Sequence, residues 1–160
     1  MLKVMALVRI LVDGYSLLHN WPELAPGKAR HSENAREELI ERLTLYQDAI
    51  GTPITMFFDG GGAPKGVPNA ISNEKLEVIY SRAGQTADDL IERAAYRFAA
   101  YGEVLVVTDA QAERETVLSV GAMTSSCWNF VRTVEDTLAQ VADDIKHHNR
   151  RERHRFQRRS

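Results

Sequence analysis

Three aspartates close three apolar runs in this chain. Asp13 ends ILVD, Asp59 ends MFFD and Asp109 ends VLVVTD. In an open α/β sheet, ligands bind at the carboxyl ends of the strands. Three carboxylates at three such ends would converge if the runs are parallel neighbours. Gathered carboxylates repel one another and lose their charge less reluctantly, and a bound divalent cation relieves that repulsion. Oxygen-only donors suit Mg²⁺ or Mn²⁺. A single strand-end aspartate usually starts a turn or caps a helix; three in one chain favour a site.

A further acidic pair opens a helical pattern at TADD, Thr86 to Asp89. Each helical residue turns the chain by about 100°, so Asp88 lies about 60° from Ile91 on the apolar stripe and Asp89 about 160° away. Asp88 therefore leans towards the sheet, and Asp89 is the natural capping-box partner of Thr86. Glu113, four residues after Asp109, is a candidate beside the cluster, although a solvent-facing acid next to Arg114 explains it equally well. Ser16, Asp59 and Asp89 complete the expected surroundings. For phosphate backbone, the candidate contacts are Lys65, Arg82, Arg150, Arg151 and Arg155. The single Cys127 can form no internal disulfide, and no His/Cys spacing suits zinc. Gly60-Gly61-Gly62 lacks a following GK[ST], and no G-x-S-x-G is present, which excludes a Walker-type loop and a serine-hydrolase elbow.

The elements that must carry these residues are legible as an alternation. Apolar runs at Val8–Val12, Ile54–Phe58, Leu76–Tyr80, Val104–Thr108 and Met123–Phe130 read as strands. Ser32–Ile50 and Thr86–Tyr101 read as amphipathic helices, a shorter helix carries Val117 and Leu118, and a last helix carries Val134, Leu138, Val141 and Ile145, with Thr133 and Asp136 as its capping box. Gly60–Asn73 reads as one long irregular segment. This is an α/β pattern: one Rossmann-like domain with a mostly parallel sheet and helices on both faces. At 160 residues, with 44% hydrophobic and 26% charged residues, a single core is expected. We place the domain at residues 1–145 and a basic tail at 146–160. The tail sets Lys146 and six arginines against Glu152, net +6, on a body that is −8. No membrane span or export signal is read from the N-terminal run, so a cytoplasmic location is expected.

VDGYSLLHNWPEL, the FFDG end, GQTADDLIER and VVTD, in this order across about residues 10–130, resemble the YacP-like branch of the NYN domains, within the PIN-like nuclease superfamily. The resemblance implies a Rossmann-like sheet, a divalent-metal acidic centre on Asp13, Asp88 and Asp109, and endoribonuclease activity. It further implies action on mRNA in association with the ribosome. The chain departs from the family pattern at Ser16, where asparagine is usual, at Asp89, where glutamate is common, and after Asp109, where Glu113 stands in place of a nearer aspartate.

The expected function is metal-dependent hydrolysis of single-stranded RNA, with Mg²⁺ or Mn²⁺ as cofactor. The alternative is a non-catalytic RNA- or ribosome-binding module that keeps the fold. An aspartyl-phosphate enzyme is disfavoured because no second aspartate stands two positions after Asp13.

Overall fold

A computed structural model describes residues 7–27, 32–60, 70–72 and 76–159. The chain alternates strand and helix: β1 (Leu7–Asp13), α1 (Gly14–His19), α2 (Glu33–Ile50), β2 (Ile54–Phe58), β3 (Ala70–Ser72), β4 (Leu76–Tyr80), α3 (Ala87–Ala99), β5 (Glu103–Val107), α4 (Gln111–Ser119), β6 (Met123–Ser125) and α5 (Cys127–Arg159). The strands form one sheet in the order β3-β4-β2-β1-β5-β6. All neighbours pair in parallel except β3, which runs antiparallel to β4 at one edge. The architecture is thus α/β with a mostly parallel sheet, as the alternation implies.

β1 sits in the middle because both of its faces are apolar. Ile10 and Val12 join a core with Leu39, Leu43 and Tyr46 of α2 and Phe130 and Val134 of α5. Leu11 joins the opposite core with Ile91 and Ala95 of α3 and Val117 of α4. Each such burial contributes roughly 1.5–3 kcal/mol. From β1 the chain builds outwards through β2 and β4, then returns to lay β5 on the other side. The strand order therefore reverses between β1 and β5, and a crevice opens at their carboxyl ends.

Local chemistry sets the helix starts. Ser32 caps α2, its hydroxyl accepting from the Ala35 N–H at 3.2 Å. Thr86 and Asp89 form a reciprocal capping box on α3. Two expectations change at the C-terminal end. Met123–Phe130 is not one strand: β6 stops at Ser125, and Cys127, Phe130, Val131 and Val134 form the buried stripe of a helix. Ser126 caps that helix by accepting from the Asn129 N–H at 3.1 Å, so Thr133 and Asp136 lie within it and do not start it. The helix runs unbroken across residues 145 and 146. It outlasts the body it packs on, which leaves Val141 and Ile145 exposed. The segment Gly60–Asn73 also contains β3, and its residues 61–69 and 73 lie outside the described residues.

The carboxyl edge is braced by an aromatic stack. The Tyr15 ring meets Phe58 edge-on at 5.1 Å, and Phe58 stacks on Tyr80 at 5.5 Å. Gly14 makes this possible, because a Cβ there would fall against the Phe58 ring. Alanine at position 14 would gain about 1 kcal/mol of helix propensity. Overpacking a fully buried ring costs about 1–3 kcal/mol, so strain wins. Gly14→Ala is therefore expected to lower the urea midpoint of unfolding; an unchanged or higher midpoint would mean that Phe58 moves aside freely.

Candidate active site

Asp13 is the last residue of β1 and the cap of α1. Its two oxygens accept from the Ser16 N–H at 3.3 Å and the Ser16 hydroxyl at 2.9 Å. The hydroxyl at position 16 thus orients the carboxylate. Asp59, just past β2, accepts from the Ser81 hydroxyl at 3.0 Å, and Ser81 is itself fully buried beyond β4. Asp13, Asp59 and Asp88 line one cleft of about 580 Å³ with Tyr15, Ser16, Gly60, Ala87 and Ala110. Asp88 is half-buried in that cleft while Asp89 is exposed on its capping box, as helical phase requires.

The electrostatics follow from the geometry. Burial pushes the Asp13 carboxyl above its ordinary range, opposed by the Ser16 hydrogen bonds and reinforced by Asp59 and Asp109. Asp88 is also raised, first by burial and then by Asp13, Glu92 and Asp59. No hydrogen-bond donor reaches the Asp88 side chain among the described residues.

Asp109 is held differently. One of its oxygens accepts from the Cys127 N–H at 2.9 Å, tying β5 to the start of α5, and the same oxygen pairs with Arg114 at 3.5 Å. Asp109 lies close enough to raise Asp13, yet the cleft wall is formed by its neighbour Ala110. That contact ties one oxygen of the carboxylate to the start of α5 at the rim of the cluster. Cys127 is fully buried, and burial together with Asp109 pushes its thiol up to about 12, which leaves it unreactive.

Glu113 is not the solvent-facing acid that its place beside Arg114 suggested. It is 2% exposed, and its Oε1 has no hydrogen-bond partner among the described residues. Burial and the nearby Asp88 and Glu92 push its carboxyl up to about 8. A buried carboxyl beside other acids favours its neutral form. Glu92 is the residue that the sequence reading missed. Its signal was available: it lies four residues after Asp88 on the same helical face.

Of the expected phosphate contacts, Arg82 is exposed on the turn after β4, at the carboxyl edge. Arg150, Arg151 and Arg155 are exposed along the far end of α5, with Arg155 paired to Glu152 at 3.5 Å. Lys65 lies outside the described residues. Among the described residues, no three acidic, histidine or cysteine side chains are arranged to hold a metal directly. The donors that face the cleft are nonetheless all oxygens, and two of them have raised affinity for protons. That combination fits a hydrated Mg²⁺ or Mn²⁺, which keeps several waters and needs only one or two carboxylates.

Glu113 also generates a pH dependence. Its ordinary value is 4.5 and its folded value about 8. Between those values the folded chain holds a proton that the unfolded chain releases, so raising the pH favours unfolding. With metal chelated, the melting temperature is expected to fall from pH 5 to pH 8. Glu113→Gln, which mimics the protonated acid, should flatten that fall by a few degrees. Parallel curves for the two proteins would mean that Glu113 is not a buried neutral acid.

The chain is similar in sequence and fold to known proteins. The Bacillus subtilis protein YacP is 32% identical over 127 residues, covering 79% of this chain and 74% of YacP. A crystal structure of a point mutant of Rae1 (YacP) from Bacillus subtilis superposes with a TM-score of 0.73 at 28% identity, over 87% of this chain and 81% of that one. A second Rae1 structure gives 0.70 at 29% identity, over 86% and 79%. The YacP-like NYN domain model matches residues 10–160. The chain belongs to the YacP-like NYN domain family, a nuclease-like class with RNA-related function.

Proposed function

We propose that this protein is a divalent-metal-dependent endoribonuclease that cuts single-stranded RNA, with mRNA on the ribosome as its setting. The observation that carries the reading is the juxtaposition of Asp13 and Asp88, both raised above the ordinary carboxylate range, in a cleft at the β1/β5 switch point. When bound, Mg²⁺ or Mn²⁺ would supply an activated water and charge neutralisation at the scissile phosphate. Asp13 and Asp88 would hold the ion, directly or through water, with Asp59 beside them. Ser16 fixes the Asp13 carboxylate in one orientation, and Asp109 contributes its negative field from the rim. Arg82 and the arginines of α5 would hold phosphate backbone, which positions the RNA without reading its sequence.

The test is cleavage of a labelled single-stranded RNA with and without Mn²⁺, beside Asp88→Asn. Mn²⁺-dependent cutting that falls at least about a hundredfold in the variant supports the nuclease. The alternative, a non-catalytic RNA- or ribosome-binding module, draws on the capping duties of Asp109 and the lack of a three-ligand group among the described residues. RNA binding without cutting in Mn²⁺ would establish it.

The tail has its own test. Deleting residues 150–160 removes six arginines and one glutamate while leaving Asp13, Asp88 and Asp109 in place. RNA affinity should fall and its salt dependence should flatten, because fewer counterions are released. Cleavage at saturating RNA should survive. Equal affinities and equal salt slopes would remove the tail from the binding surface.

A further inference from the structure

The chain has two tryptophans, and the fold treats them in opposite ways. Trp21 is 3% exposed in the core, with its indole N–H donating to Glu135 at 3.0 Å. Trp128 is 58% exposed. Burying a large ring is one of the strongest stabilising contributions available, so an indole left in water forgoes it. Trp128 is also the residue next to Cys127, whose N–H is bonded to Asp109. It therefore sits at the carboxyl edge, one residue from the rim of the acidic cluster.

One face of that indole is already occupied. The Arg132 guanidinium lies 4.8 Å from the ring centroid, one helical turn on. Both side chains are exposed, and the same helix continues into the arginine-rich end. A cation held against an exposed indole beside a phosphodiester site suits an unpaired nucleobase. The base would stack on the aromatic surface, and the guanidinium would meet its phosphate or extend the stack. An acidic partner peptide would meet Arg132 but brings no planar base to stack on the indole.

We propose that Trp128, with Arg132, is a stacking platform for an unpaired base of single-stranded RNA, placed beside the bond to be cut. This rests on the nuclease reading for its substrate class, but it is testable by binding alone.

The experiment measures binding of a short labelled oligouridylate, with metal chelated, to the full chain and to Trp128→Ala and Trp128→Phe. An abasic oligonucleotide of the same length serves as the comparison. Stacking on an aromatic ring is worth about 1–3 kcal/mol per base, so Trp128→Ala should bind the oligouridylate about fivefold to a hundredfold more weakly. Trp128→Phe should retain most of the affinity, and the abasic strand should bind the full chain and Trp128→Ala equally. Quenching of the intrinsic fluorescence by oligouridylate should disappear in Trp128→Phe, since Trp21 is buried. Thermal melts confirm that both variants are folded. Equal binding of oligouridylate by the full chain and Trp128→Ala would overturn the platform, as would an equal loss on the abasic strand. Mn²⁺-dependent cleavage is scored separately. Trp128-dependent binding without cleavage would sink the nuclease reading and keep the platform; cleavage with Trp128-independent binding would do the reverse.

Discussion

Parallel pairing of β1 between β2 and β5 is the constraint from which the rest follows. It sends the carboxyl ends of the central strands to one edge, and this sequence puts an acid at each of those ends. The repulsion this creates is offset in three separate ways. Asp13 is fixed by Ser16, Asp59 by Ser81, and Asp109 by Arg114 and the first turn of α5. Asp88 has no such support among the described residues.

Much of this was legible before any coordinates, for physical reasons that differ by residue. Strand-end position located Asp13, Asp59 and Asp109 because the pleated strand fixes where its last side chain emerges. Helical phase separated Asp88 from Asp89 because one had a capping partner in Thr86 and the other did not. Charge and spacing could not show how Asp109 is held. That depended on Cys127, eighteen residues after Asp109 in sequence, presenting its N–H to the carboxylate.

Glu113 and the start of α5 were ambiguous in the sequence for a shared reason. Near the end of a chain, a short apolar run such as Met123 to Phe130 serves a strand or a buried helical turn equally well. Only Ser126, as a cap, marks the change. Glu113 looked exposed because Arg114 beside it is polar; yet α4 turns Glu113 inwards towards Glu92 and Asp88. Tertiary packing decided both, and neither periodicity nor composition reports on it.

The last helix has a consequence of its own. Its first three turns are welded to α2, α1 and the sheet through Cys127, Phe130, Val131 and Val134. From Ala139 to Arg155 it is exposed, save for the partly covered Glu152. That is a rod of about 25 Å held at one end. Isolated helical stretches of this length are marginal in water, so the outer turns draw their order from the anchored ones by propagation. Amide protection should therefore decay along a single continuous helix, from global unfolding at its root to fraying at its arginines. The element that extends the charge of this protein is also the one whose stiffness is set by temperature and salt.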